Sequence, residues 1–440
     1  MRLKELSIKN FRGFHEAKIT FPSSSNTAIF VGINGSGKSS ILDCIAILLS
    51  EFISDLTEKT VYGTNFPLTD NDINESSGRR KEYCSVTAEA TAGSSENIAW
   101  SVSAHKKHDI LFTSQLHRQL QLTEKSTSFN FPILVYYQTN RAALKIKSPK
   151  KIQPKRKKIP YQLLCYESAF TKNITDLSDF LKWFRLEEDL ENEIKIKKKD
   201  FNAVNKKLEV VRNALIKFLN QFTSLEFSNL HIEREAEEED FSFQTLEKSS
   251  LVIEKNHRKL KIEQLSDGEQ IILLTVSDIA RRLAIANPGL ADPLSGIGIV
   301  LIDEIELHLH PQWQREIIQA LLHTFPNIQF ILTTHSPHVL SHVEKDDVFI
   351  IDDFRIMEHT PYTKGRDSNS ILFELFGVEE RPLVFKEKLN ELYCMIDKEK
   401  IEEAETALEE IKSIFGENDT EVVRIKTNID FVKEEISERE

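Results

Sequence analysis

The stretch TAIFVGINGSGKSSILDCIAILL, Thr27 to Leu49, decides how this chain is read. An apolar run, AIFV, stops at Gly32, and an apolar-periodic segment begins at Lys38. That is a buried strand, a glycine turn and a helix. Between them, Gly32-Ile-Asn-Gly-Ser-Gly-Lys-Ser39 meets G-x-x-x-x-G-K-[ST] at every fixed position. Such a loop curls so that its N–H groups point inward at phosphate oxygens. Gly32, Asn34, Gly35, Ser36, Gly37 and Ser40 are the candidate loop contacts. Lys38 supplies a point charge for the β- and γ-phosphates, and Ser39 a hydroxyl for Mg2+. The helix adds the positive end of its dipole. A chance glycine-rich turn would lack the strand before it and the helix after it.

Working outward, two acids end the next strongly apolar run, Val300-Leu-Ile-Asp-Glu304. Beside a phosphate loop, Asp303 is the candidate metal partner of Ser39. Glu304 is placed to polarise an attacking water. Thr333-Thr-His335 follows the run FIL, and the C-terminal end of a strand is where ligands bind in an open α/β sheet. His335 is therefore a candidate contact for a γ-phosphate. Leu265-Ser-Asp-Gly-Glu269 precedes the helical run QIILLTVSDIARRLA. Ser266 and Glu269 have capping-box spacing, and a Ser and a Gly before a helix also make an anion site. The two roles are compatible.

Bulk properties limit the possibilities. The 440 residues suffice for one large domain with insertions, or for two domains. A formal net charge of -12 excludes a chain that coats nucleic acid over its whole surface. Residues 145–158, KIKSPKKIQPKRKK, are the local exception, with eight Lys or Arg and no acid. They read either as a solvated loop or as a phosphate-backbone contact. Cys44, Cys84, Cys165 and Cys394 form no CxxC pair, which argues against a zinc or disulfide framework and fits a reducing compartment. No apolar run approaches the ~20 residues that span a bilayer, and the first residues lack a signal-peptide core. The expected location is the cytoplasm, with no membrane partner.

Four regions follow from the patterning. Residues 1–140 carry the P-loop, the strands SVTAEAT and NIAWSVSA of an antiparallel arm, and another strong strand, FPILVYY. Residues 141–225 hold the basic stretch and a helical insertion over 177–220. Its middle is too charged for a long coiled coil, so a helical hairpin or lid is expected. Residues 226–380 return to alternating helix and strand. Residues 381–440 are an acidic helical tail.

The ordered set NFRGF, GINGSGKSS, LSDGEQ, VLIDEIELHLHP and TTHSPHVL resembles the ABC-type ATPases of the RecF, Rad50/SMC and OLD group. The resemblance covers roughly residues 1–60 and 260–355. It implies an α/β head: a mixed sheet with a P-loop core plus an antiparallel β-subdomain, here with a helical insertion and a helical C-terminal tail. It implies ATP and Mg2+, bound between the P-loop of one copy and the signature Ser266, Gly268 and Glu269 of another. It also places Arg12, in NFRGF, near the nucleotide; a surface arginine in a turn is the alternative. Two departures stand out. His310 occupies a place where this group often has Asp, and no glutamine marks the loop that usually follows the P-loop helix. In that place Asp72 of LTDNDI is either a candidate or a solvated loop acid.

More narrowly, PILVYYQTNR, the insertion with LKWF, and GRDSNSILFELFGVEERP resemble the PtuA-like ATPases of Septu and retron anti-phage systems. That resemblance implies a separate HNH nuclease subunit of the PtuB type. In a retron it further implies a reverse transcriptase and nucleic acid, for which 145–158 is the candidate contact. The tail leaves no room for a Toprim nuclease domain. A RecF-like ATPase that clamps DNA for repair is the alternative.

Overall fold

Strands buried on both faces read as continuous apolar runs, and four such runs make the centre of this protein. The computed structural model describes residues 1–57, 61–76, 79–92, 96–105, 110–114, 130–139, 160–171, 177–222, 226–234 and 249–439. The basic stretch 145–158 lies outside them. In chain order the strands are β1 (Arg2–Phe11), β2 (Phe14–Thr20), β3 (Thr27–Val31), β4 (Glu75–Ser76), β5 (Arg79–Arg80), β6 (Tyr83–Ala92), β7 (Glu96–His105), β8 (Ile110–Ser114), β9 (Ile133–Tyr137), β10 (Phe227–Arg234), β11 (Ser249–Lys255), β12 (Arg258–Lys261), β13 (Gly298–Ile302), β14 (Ile328–Thr334), β15 (Val348–Asp352) and β16 (Arg355–Ile356).

A six-stranded sheet has the order β16-β15-β3-β14-β13-β9. β15, β3, β14, β13 and β9 run parallel, and β16 closes the edge antiparallel. Every residue of β3, β13, β14 and β9 is buried. A second sheet, β2-β1-β6-β7-β8, is wholly antiparallel. This is the expected arm. β10-β11-β12 form a ribbon, and β4-β5 a short hairpin.

The helix Lys38–Leu56 joins the two main sheets. It is apolar nearly all round, with Ile41, Leu42, Ile45, Leu48, Leu49 and Ile53 among its buried residues. Such a helix belongs in an interior. The Trp100 indole of β7 donates to the Leu48 carbonyl at 3.0 Å, and the Phe52 ring lies tilted against the same indole, 5.7 Å between centroids. Each fully buried aliphatic side chain contributes roughly 1.5–3 kcal/mol, so this contact holds the P-loop firmly.

The insertion forms a hairpin of Leu177–Lys198 and Lys206–Leu219, as its charge pattern suggested. Asn205 caps the second helix and donates its amide to Glu187. Arg212 reaches back to Glu191 at 3.0 Å. The second helix packs on the helix Asp267–Ala286.

Residues Met1–Ile371 make one compact unit and Leu372–Glu440 another. The second is built of helices Leu383–Asp397, Ile401–Phe415 and Thr420–Arg439. The helical tail breaks at Lys398–Lys400, where Glu399 has φ 56°. The break lets Leu389, Leu392 and Ile396 pack with Ala404, Leu408 and Ile411, and with Val422, Ile425 and Ile429. Arg381 forks onto Asp419 with two 3.0 Å bonds. No helix among the described residues is long and apolar enough to cross a membrane.

Candidate nucleotide site

Parallel strands bring their C-terminal ends to one side, and four of them end in polar residues there. β3 runs into the P-loop, β13 into Asp303-Glu304, β14 into Thr334-His335 and β9 into Gln138-Thr139.

The loop is shaped by glycine. Gly37 has φ 112°, and a Cβ there would strike the Phe354 and Phe14 rings at 2.7 and 2.9 Å. Gly32, Ser36, Gly37 and Lys38 are buried, Asn34, Gly35 and Ser39 are exposed, and Ser40 is half-buried. The Ser36 hydroxyl is buried with no hydrogen-bond partner among the described residues. Lys38 Nζ bridges the loop, donating to the carbonyls of Gly32 at 3.0 Å and Ile33 at 2.8 Å. Burial lowers the Lys38 pKa, while Asp303, Glu304 and Glu306 pull the other way.

Asp303 is the hub. It is 4% exposed and accepts from three hydroxyls: Ser39 at 3.1 Å, Thr139 at 2.7 Å and Thr333 at 2.6 Å. Thr333 Oγ1 also accepts the Glu304 N–H at 2.7 Å. Glu304 has φ 50°, a left-handed conformation that costs a non-glycine residue about 1–3 kcal/mol and clusters at functional sites. The His335 N–H donates to Glu306 Oε1 at 2.5 Å, and Glu306 Oε2 is buried with no partner among the described residues. Burial, with Lys38 nearby, lowers the His335 pKa against the pull of Asp303. The structure thus gathers Lys38, Ser39, Asp303, Glu304 and His335.

Arg12 stands one layer behind. Its guanidinium pairs with Asp43 on the P-loop helix at 2.7 Å and with Asp72 at 2.9 Å, and lies 3.4 Å from Ser40 Oγ. Burial opposes its charge, but the two carboxylates outweigh it and raise its pKa. Asp72 is 7% exposed and accepts from Thr69, so it is not a solvated loop acid.

Ser266, Gly268 and Glu269 line a different cleft, of about 400 Å³, with Lys255, His308, His310 and Trp313; no P-loop residue lines it. Ser266 and Glu269 form the expected capping box of the helix Asp267–Ala286. Lys255 clamps Glu269 at 2.5 Å. Lys255 and the restraint of burial act oppositely on Glu269, and its pKa ends lowered. A Cβ at Gly268 would lie 2.2 Å from the His308 carbonyl, so the segment after Glu304 rests directly on this turn.

Sequence reading assigned no role to Thr139, Thr333, Asp43, Glu306 or Lys255. The first two were visible only as threonines just at or past the ends of apolar runs.

A mixed sheet with its P-loop helix sandwiched against an antiparallel arm, and Asp-Glu after β13, defines an ABC-type P-loop ATPase head. The chain belongs to the family described as AAA domain, putative AbiEii toxin, Type IV TA system, whose model matches residues 28–341. A model of the P-loop containing region of AAA domains matches residues 3–51. The chain is similar to the Retron Vc95 probable ATPase of Vibrio cholerae serotype O1 biovar El Tor, with 31% identity covering 88% of this chain and 81% of that one. It is 29% identical to the Retron Ec83 probable ATPase of Escherichia coli, covering 98% and 87%. It is 25% identical to the Septu protein PtuA of Bacillus mycoides (strain KBAB4), covering 94% of this chain and 50% of that one. Among solved structures it is similar to an SMC head bound to the C-winged helix domain of ScpA, with TM-score 0.47 and 14% identity over 82% of this chain and 98% of that one.

Proposed function

We propose that this chain is the ATPase subunit of an anti-phage defence assembly, and that two copies close around two ATP molecules. The observation that carries the catalytic part is the Asp303 hub, which ties the P-loop serine to three strand ends. The names of the retron and Septu relatives support the defence setting.

The residues fit ATP and Mg2+. Ser39 Oγ and Asp303 Oδ1 are a close pair of hard oxygens, and Mg2+ characteristically takes one or two protein ligands with phosphate and water. The orphaned Ser36 hydroxyl sits in the loop that would take phosphate. When bound, Mg2+ neutralises phosphate charge and orients the γ-phosphoryl group.

The chain's own groups then divide the work. Lys38 leaves the Gly32 and Ile33 carbonyls for the β- and γ-phosphates, joined by the loop N–H groups from Gly32 to Ser40. Ser39 and Asp303 hold the metal, and Thr139 and Thr333 hold Asp303. Glu304 takes a proton from the attacking water. His335, whose pKa burial and Lys38 lower against Asp303, donates to the γ-phosphate. Arg12 steadies the first turn of the P-loop helix through Asp43. Ser266, Gly268 and Glu269 of the second copy close the phosphate cage.

The closed dimer is proposed to scaffold or restrain a separate HNH nuclease. The second unit supports this: residues 372–440 hold twenty acids against ten bases, and so carry -10 of the chain's -12. Leu383, Val384 and Phe431 are exposed on it, which suits a basic partner with apolar contacts. The basic stretch 145–158 favours a second reading, a RecF-like clamp on DNA. The test is Glu304→Gln. Turnover should fall by about 10²–10⁴-fold while ATP holds the dimer closed; hydrolysis at the unaltered rate would remove Glu304 as the base. Co-purification with a co-encoded HNH protein supports defence, whereas ATP-dependent, salt-sensitive DNA binding by the isolated dimer supports the clamp.

A further inference from the structure

The hairpin of β15 and β16 carries a residue that its turn disfavours. Ile351 pairs with Ile356 and Asp352 with Arg355, which leaves Asp353-Phe354 as a two-residue turn. Both have positive φ, 41° and 58°. Turns of that kind strongly favour glycine at the second position. A phenylalanine there is held against its backbone preference, and such strain persists only where the surroundings enforce it.

The surroundings are the P-loop and the arm. The Phe354 N–H donates to the Ser36 carbonyl at 2.9 Å. The Phe354 ring lies so close to Gly37 that a Cβ there would meet it at 2.7 Å, and a Cβ at Gly32 would overlap the Ile351 carbonyl. One hairpin thus touches the first glycine of the loop, its serine and the glycine before Lys38. A Cβ at Gly13 would overlap the same ring, and Phe14 meets it edge-on, 5.3 Å between centroids. Gly13 follows Arg12 in the turn between β1 and β2. The ring therefore bears on the P-loop and on the turn that carries Arg12 at once.

We infer that Phe354 is a positioning residue for the nucleotide site, whose ring and N–H hold the P-loop in its phosphate-binding curl and tie it to the Arg12 turn. This rests on the reading of the P-loop as a phosphate site. The ring acts on the loop backbone and not on the base. Its loss is therefore felt by any ligand that carries the triphosphate.

The experiment measures Mg2+-dependent binding of ATP and of inorganic tripolyphosphate to the full chain by calorimetry. Phe354→Gly suits the backbone of the turn and keeps the N–H, so only the ring is lost. The ring is half-buried, so its removal opens an edge and leaves no sealed cavity. Affinity for both ligands should fall by roughly ten- to a hundredfold, the scale of a misplacement of about 1 Å. Phe354→Tyr keeps the ring and should bind both as the parent does. Phe354→Leu keeps apolar bulk without a flat ring, and should show an intermediate loss even if the glycine variant unfolds.

Gly13→Ala approaches the ring from the arm. Its Cβ must displace Phe354, so both affinities should fall again. With the ring already gone in Phe354→Gly, adding Gly13→Ala should cost nothing more. Residues in contact couple in this way, whereas independent ones add. A ring that served only the fold would lower the melting temperature and leave both affinities unchanged. If the unaltered chain binds neither ligand, the phosphate-site reading falls. If it binds both, and Phe354→Gly and Phe354→Leu match it or the two substitutions simply add, Phe354 alone is overturned. Loss of ATP affinity with tripolyphosphate affinity kept would make the ring a platform for the base, and would overturn its action through the loop.

Discussion

The two halves of the proposed composite site are held in opposite ways. The Asp303 half draws on Ser39, Thr139 and Thr333, the first of them 264 positions away in the chain. The Ser266 half is closed mostly within four residues, with Lys255 and the His308 carbonyl as its contacts from farther along the chain. The first is a buried hub that depends on the whole sheet. The second is a local turn on an open cleft. Damage to the first should therefore abolish chemistry in each chain. Damage to the second should spare the single chain and be felt only when two copies meet.

The largest effect is expected at the hub. Asp303→Ala removes a buried acceptor from three hydroxyls at once. Mg2+ affinity should fall by more than about 100-fold, beyond the 10–100-fold loss typical of groups that merely support a ligand. Titration of Mg2+-dependent nucleotide binding measures this, and an unchanged affinity would remove Asp303 from the metal site.

Gly268→Ala tests the other half. The added Cβ would meet the His308 carbonyl, so the segment His308–His310 must shift. Overpacking of this kind costs about 1–3 kcal/mol. The expected outcome is a modest loss in thermal stability, unchanged ATP affinity in the dilute chain, and failure of ATP-driven dimerisation. Loss of nucleotide binding in the single chain would show that the halves are not separable.

The same contrast explains what was readable beforehand. The P-loop and the capping box are local: a strand, a glycine turn and a helix, or a serine three residues before a glutamate. Their geometry follows from neighbours in the chain. Thr139 follows FPILVYY, which reads as a strand, but nothing within that strand says that it pairs with β13. The register Tyr137 to Ile302 is what carries Thr139 to Asp303. Asp72 was open between a nucleotide-loop residue and a solvated acid because its partner, Arg12, is sixty residues away. Asp278 lies in a run read simply as a helix, yet it is buried, pairs with Arg281 and Arg282, and accepts from Tyr137 at 2.8 Å. Packing of the helix in the interior, with Tyr137 of β9 and the segment at Cys165–Glu167 against it, makes that acid an interior one. The tail's break at Lys398–Lys400 likewise comes from apolar faces meeting, since no proline or glycine marks it.

Thr139→Val sharpens the comparison at lower cost. Valine matches threonine in shape but lacks the hydroxyl, so Asp303 Oδ2 loses its 2.7 Å donor. A hydrogen bond to a charged group contributes roughly 1.5–3 kcal/mol. Melting should register about that loss, and turnover should fall with it because Asp303 gains freedom. If turnover falls while dimerisation of the Glu304→Gln form is preserved, the hub acts within its own chain.

The smallest stability effect is expected at Ser266, and there it separates two roles. Ser266→Ala removes the cap of the helix Asp267–Ala286, which typically costs about 1 kcal/mol. Ser266→Asp replaces one good cap with another, so thermal stability should return toward that of the parent. A carboxylate cannot donate to phosphate, however, and at the interface it repels one. If Ser266 only capped the helix, Asp would restore stability and turnover together. If its hydroxyl also meets the second copy's nucleotide, Asp restores the melting temperature and leaves ATP-driven dimerisation and turnover low. Melting curves and dimer affinities of the two variants, taken in the same buffer, decide between these outcomes. Recovery of both properties in Ser266→Asp would reduce the signature serine to a helix cap.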